Sequence, residues 1–147
     1  MHEALLRFLG PDGTLARTLP GFEHRPQQYE MARAVAEALS DATPLFVEAG
    51  TGTGKTLAYL VPAILSGKKV VISTGTRQLQ EQIHTREVPL LARHLGTPFS
   101  AVVLKGISNY LCRRRLAEIG DTNDPELVRI ANWGKKTRTG DRAELTG

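Results

Sequence analysis

The sequence predicts an α/β fold, a parallel sheet with flanking helices, followed by a helical tail. Three observations carry that prediction. Short apolar runs at 44–48, 70–73 and 101–104 alternate with stretches of helical periodicity. A glycine-rich loop joins the first run to the helix after it. Beyond residue 104 only helical patterns remain. The order strand, helix, strand, helix, strand calls for a parallel sheet with right-handed crossovers.

Residues 1–25 carry turn signals, Gly10-Pro11-Asp12-Gly13 and Pro20-Gly21, around short apolar pieces. They read as an irregular lead-in with a small hairpin. His24-Arg25-Pro26 opens the first long helix, because a proline loses nothing in a first turn whose N–H groups are unpaired anyway. Met31, Val35 and Leu39 recur at helical spacing, and Ser40-Asp41 closes the run. Pro44-Leu45-Phe46-Val47-Glu48 reads as a buried strand, 55–65 as a helix, and Val70-Val71-Ile72-Ser73 as a second strand. A helix over 77–95 follows, marked by Leu79, Ile83, Leu90, Leu91 and Leu95 and bent at Pro89. Ala101-Val102-Val103-Leu104 is the third strand. Helices are expected at 108–119 and 125–136, with a polar linker at 120–124 and a polar tail over 137–147.

The chain has 147 residues, about one domain's worth. With 41% hydrophobic and 23% charged residues it has a globular balance. No apolar run approaches the roughly 20 residues of a membrane span. Met1–Gly10 is broken by Glu3 and Arg7 and lacks a cleavage site, so a cytoplasmic, membrane-free protein is expected. Cys112 is the one cysteine, which excludes an internal disulfide and any metal site built from cysteines alone. The net charge of +4 permits contact with nucleic acid. There is no internal repeat and no low-complexity tract.

Ala49-Gly50-Thr51-Gly52-Thr53-Gly54-Lys55-Thr56 is a phosphate-binding loop, with alanine where the usual pattern starts on glycine. Glycines let the backbone curl so that successive N–H groups point at phosphate oxygens. The following helix adds its positive end. Lys55 then reaches the β and γ phosphates, and the Thr56 hydroxyl ligates Mg²⁺. A strand before and a helix after supply the required context, so ATP with Mg²⁺ is the expected ligand. The loop alone does not choose among kinases, GTPases and motor ATPases.

The flanks narrow the choice by resemblance. Glu48 to Thr56, followed by Leu57-Ala58-Tyr59-Leu60-Val61-Pro62-Ala63, resembles the first helicase motif of the DinG/XPD-like iron–sulfur DNA helicases of superfamily two, nearest the DinG/YoaA branch. Upstream, Gly21-Phe22-Glu23-His24-Arg25-Pro26-Gln27-Gln28-Tyr29 is similar to their adenine-side Q motif. Downstream, residues 70–82, with Thr74-Gly75-Thr76-Arg77, resemble motif Ia. Leu104-Lys105-Gly106-Ile107-Ser108-Asn109-Tyr110-Leu111-Cys112 resembles the start of the iron–sulfur domain, and Trp133, Thr137 and Thr139-Gly140-Asp141 fit its first part. The motifs occur in family order over about residues 8–145.

The resemblance implies a partial RecA-like P-loop NTPase domain. It divides the chain into a lead-in (1–25), the N-terminal part of the ATP-binding domain (26–104) and the beginning of an iron–sulfur domain (105–147). Carried over by position, Gln28 reads the adenine, with Phe22 and Arg25 packed nearby. Thr74, Gly75 and Thr76 meet a phosphate of single-stranded DNA. Cys112 is the first of four ligands of a [4Fe-4S] cluster. Arg113-Arg114-Arg115 is either a solvated helix face or a DNA-facing patch. Travel is 5′ to 3′, in repair or replication.

This sequence also departs from the family pattern. No acidic motif follows Lys55, since Asp121-Thr122-Asn123-Asp124-Pro125-Glu126 has no buried strand before it. No second RecA-like lobe and no further cysteine follow. The expectation is therefore an N-terminal piece that partners the remainder of a helicase chain, binds nucleotide weakly and does not turn it over. Uncovered apolar surface should also lower its stability. The alternatives are a stand-alone P-loop nucleotide kinase and a non-catalytic nucleotide- or DNA-binding module.

Overall fold

The structure, a computed structural model, describes residues 1–120 and 122–146. Asp121 of the expected linker and Gly147 of the expected tail lie outside the described residues. The chain divides into two compact units, one ending at Val102 and one starting at Val103.

The first unit begins with two helices, α1 (His2–Leu9) and α2 (Thr14–Thr18). This corrects the irregular lead-in and hairpin expected at 1–25. Leu5, Phe8 and Leu9 fall at i, i+3 and i+4, so they share one face of α1. All three are at most 3% exposed, as is Leu15 of α2. The segment is core, joined to Ala32, Ala36, Ala58, Leu60, Val61, Ile83 and Leu91.

α3 (Pro26–Asp41) starts with its proline in the first turn and ends at Ala42, which adopts the left-handed conformation at φ 55°. α4 (Lys55–Leu65) makes the most extensive helix–helix contact of the unit, with α3. The expected helix over 77–95 is present as α5 (Arg77–Gln82), a π-helical turn (Ile83–Glu87) and α6 (Val88–His94). Pro89 cannot donate to the carbonyl four residues back, and the helix takes a wider register just before it. Ile83 and Leu91 turn inward to the core.

The parallel sheet is not found: the described residues contain no β-strand. Among the described residues none of the runs at 44–48, 70–73 and 101–104 forms a strand. Strand-like alternation nevertheless persists. Leu45 and Val47 line an apolar groove with Met31, Val35 and Leu39, while Phe46 between them is 96% exposed. Val70 and Ile72 are 40% and 38% exposed, and Val71 between them is 90% exposed. Parallel strands are stable when both faces are covered and both edges are paired. Here α3 and α4 cover one face of the first two runs, and the other face meets water. Val102 and Leu104 of the third run are 91% and 83% exposed.

The second unit contains a 3₁₀ turn (Ile107–Asn109), α7 (Arg113–Ile119), α8 (Pro125–Gly134) and a 3₁₀ segment (Arg142–Thr146). The helix expected from 108 begins only at Arg113, because the Asn109 N–H closes a tight turn on the Gly106 carbonyl at 2.9 Å. Tyr110 then makes an isolated antiparallel bridge with Asp141. α8 is capped by the Asp124 carboxylate, which accepts from the N–H groups of Glu126 and Leu127. No described residue of this unit is fully buried.

Candidate nucleotide site

The loop 49–56 leads directly into α4. Gly52 and Gly54 both sit at φ 77°, a left-handed conformation that glycine adopts without the cost of a Cβ. At Gly54 a Cβ would also lie 2.0 Å from Gln28 Nε2. On the outer side, a Cβ on Gly50 or Gly52 would meet nothing within 4 Å. The loop is thus pinned on one side and open on the other, as a phosphate cradle must be.

Lys55 folds back over the loop and donates from Nζ to the carbonyls of Ala49 and Gly50, both at 2.7 Å. Thr53 donates from Oγ1 to the Gly50 carbonyl at 3.0 Å. The ammonium is therefore already over the curl where phosphate oxygens are expected. Thr56 stands in the first turn of α4. Mg²⁺ keeps most of its ligands as water and phosphate oxygens and takes few from protein. One hydroxyl beside an open cradle fits that requirement.

The Q-motif residues meet the loop from α3 and the segment before it. Gln28 is 5% exposed and donates from Nε2 to the Gly54 carbonyl at 2.9 Å. Arg25 donates from its guanidinium to the Gly52 carbonyl. Phe22 packs against the core cluster. Sequence reasoning placed Gln28 and Arg25 beside a base, and the geometry adds a role that reasoning lacked: both hold the loop backbone. A primary amide has two N–H donors and a carbonyl acceptor, and the Gly54 contact uses one of the donors.

Tyr59, one turn after Thr56, has its phenol pushed above the usual range, first by burial and then by the nearby Glu87 carboxylate. The nearby Thr56 side chain opposes that shift.

In the motif Ia segment, Thr76 caps α5 by accepting from the Leu79 N–H at 3.2 Å. Thr74 donates from Oγ1 to the Thr76 carbonyl at 3.0 Å. Thr74 is half-buried, while Gly75 and Thr76 are exposed.

In the second unit Cys112 is exposed, at the start of α7. Backbone hydrogen bonding from Arg115, with smaller help from Arg114 and the two guanidinium charges, holds its thiol below the usual range. No group of three or more metal-ligating side chains occurs among the described residues. A four-thiolate cluster therefore does not fit the residues of this chain by themselves. Lys105 and Asp141 form a 2.5 Å ion pair in which the lysine side chain is 5% exposed. That pair holds the Asp141 carboxyl below its ordinary value, with help from the Ala143 N–H.

A glycine-rich curl, a lysine folded over it and a hydroxyl in the first turn of the following helix together make a candidate nucleotide site. A family model described as DEAD/DEAH box helicase matches residues 26–128, and the chain belongs to that family, in its DinG-like branch. It is 44% identical over 138 residues to the ATP-dependent DNA helicase YoaA of Escherichia coli, covering 89% of this chain and 22% of that protein. It is 38% identical over 146 residues to the 3'-5' exonuclease DinG of Bacillus subtilis, covering 92% of this chain and 16% of that protein. It is 37% identical over 155 residues to the ATP-dependent helicase DinG of Mycobacterium tuberculosis, covering 86% and 23%. The chain thus spans about a fifth of the length of these curated relatives. No solved structure matches it. No helix among the described residues is long and apolar enough to cross a membrane.

Proposed function

We propose that this chain is the nucleotide-binding N-terminal segment of an ATP-dependent DNA helicase, in which ATP hydrolysis drives movement along single-stranded DNA. The observation that carries the reading is the loop itself: Lys55 held over an open curl, with Thr56 beside it at the head of α4. Lys55 binds the β and γ phosphates as a point charge, and Thr56 supplies a ligand to Mg²⁺. Gln28 reads the adenine with the amide atoms it does not spend on Gly54, and Phe22 and Arg25 flank it. Thr74, Gly75 and Thr76 meet a phosphate of the strand.

By resemblance, movement is 5′ to 3′ and serves repair or replication. Residues 26–104 form part of a RecA-like lobe, and 105–147 begin an iron–sulfur domain. Cys112 is one cluster ligand, and the other thiolates come from beyond this chain. The protein acts in the cytoplasm.

Titration calorimetry with ATP and Mg²⁺ tests the reading. The 147-residue chain is expected to bind weakly, without turnover, and Lys55→Ala is expected to abolish binding. ATP turnover by this chain that Lys55→Ala removes would overturn the expectation of an inactive segment. Equal ATP binding by the wild type and Lys55→Ala would overturn the site.

A further inference from the structure

His24 stands immediately before Arg25, whose carbonyl opens α3 by accepting from the N–H groups of Gln28 and Tyr29 at 3.0 and 3.2 Å. The His24 imidazole reaches elsewhere: Nδ1 lies 2.8 Å from the Leu9 carbonyl, 15 residues back along the chain. A carbonyl oxygen can only accept, so the proton of that bond sits on Nδ1. Leu9 is the last residue of α1, and the carbonyls of a helix's last turn have no partner within the helix. His24 supplies one. The anchor is firm, because Leu5, Phe8 and Leu9 are buried and α1 packs against both α3 and α4, the helices on either side of the phosphate loop.

Arg25 in turn donates from its guanidinium to the Gly52 carbonyl. In a trans peptide the carbonyl and the N–H of the next residue point in opposite directions. Holding the Gly52 carbonyl on the Arg25 side therefore turns the Thr53 N–H to the other side. A phosphate cradle works by N–H groups aimed in this way. Gly52 sits at φ 77°, and a Cβ there would meet nothing within 4 Å, so nothing packs against the loop on that side. The Arg25 grip sets the direction of this peptide instead. Arg25 is itself exposed, and a long exposed side chain holds one place at less entropic cost when its backbone is already fixed. The His24 bond fixes that backbone.

We propose that His24 is a positioning residue. By tying the start of α3 to the end of α1 it places the Arg25 guanidinium on the Gly52 carbonyl, and so aims the loop's N–H groups at the phosphates of a nucleotide. The proposal rests on the nucleotide site argued above and extends it to α1 and His24, which lie outside the phosphate loop.

The test compares His24→Leu, which fills the space without an N–H, with His24→Asn, whose Nδ2 is bonded to Cγ as the imidazole Nδ1 is. Amide NMR spectra of the isotope-labelled 147-residue chain need no nucleotide. His24→Leu is expected to move the Gly52 and Thr53 resonances in the direction that Arg25→Ala moves them, and His24→Asn to leave them near their wild-type positions. A merely structural role would confine the changes to α1 and the start of α3. Calorimetric titration with ATP and Mg²⁺ is the second readout. His24→Leu is expected to weaken binding about fivefold, the usual worth of one hydrogen bond, and His24→Asn to keep it. The His24→Leu/Arg25→Ala double variant is expected to bind no more weakly than Arg25→Ala alone. Unmoved loop resonances in His24→Leu, a loss that His24→Asn shares, or losses that add in the double variant would overturn the proposal. Lys55→Ala separates the two levels. If it binds ATP as the wild type does, the nucleotide site falls, and the spectra still decide whether His24 holds Arg25 on the loop. If it fails to bind while His24→Leu matches the wild type, only the role of His24 falls.

Discussion

The segment up to Val102 and the segment from Val103 are held together by different forces. The first has a hydrocarbon core in which Leu5, Leu15, Ala32, Ala58, Val61 and Leu91 are fully buried. The second has no fully buried described residue and is tied by polar side chains. Lys105 pairs with Asp141, Arg142 reaches the Ser108 carbonyl, and Glu144 accepts from Thr137 and Thr139. Burial of hydrocarbon is insensitive to charge and holds across a wide pH range. A polar network fails when one member changes its protonation. The first unit should therefore respond to cavities, and the second to pH and to loss of single polar partners.

The largest effect is expected from a cavity. Leu5→Ala should destabilise the first unit by about 2–5 kcal/mol, the usual range for a buried leucine. Helix signal followed through a urea titration measures it. A loss below about 1 kcal/mol would mean that α1 is not part of the core.

In the second unit, Asp141→Asn should cost about 2 kcal/mol, because it removes the carboxylate that pairs with the enclosed Lys105 ammonium at 2.5 Å. Trp133 is the chain's single tryptophan, so its fluorescence reports this unit alone. The same signal reads the acid limb. Asp141 and Glu144 both titrate below their ordinary values of 3.8 and 4.5, Asp141 chiefly through Lys105 and Glu144 through Thr137 and Thr139. A depressed carboxyl stabilises above its unfolded value and loses that contribution as pH falls through its folded one. Trp133 fluorescence should therefore change as pH drops below about 4 while the helix signal of the first unit persists. In Asp141→Asn the Asp141 part of that transition should vanish. Simultaneous acid loss of both signals would erase the contrast between the units.

The smallest effect belongs to the motif Ia turn. Thr76→Ala removes the cap of α5 and should cost about 1 kcal/mol, seen as a modest shift in the urea midpoint.

The glycine-rich loop and the helix after it were largely legible because their signals are local. The glycines of 50–54, Lys55 and Thr56 are adjacent in the chain, and a curl followed by a helix needs nothing distant to form. Pro26 and the Met31, Val35, Leu39 spacing marked α3 for the same reason. What was not legible depended on neighbours. The residues of α1 have a clear apolar stripe, yet two turns of helix are marginal alone and form here because Leu5, Phe8 and Leu9 find a core. The runs at 44–48 and 70–73 have the composition and alternation of strands, but strands exist by pairing, and no partner lies beside them among the described residues.

The sequence by itself determined the glycine-rich loop, the start of α3 and α4, and the family. Each rests on residues next to one another or at fixed helical spacing, where local sterics and hydrogen bonding decide. Tertiary structure decided that α1 belongs to the core, that Gln28 and Arg25 grip the loop at Gly54 and Gly52, and that Lys105 meets Asp141. Those contacts join residues far apart in the chain, and only packing chooses which distant polar groups find one another.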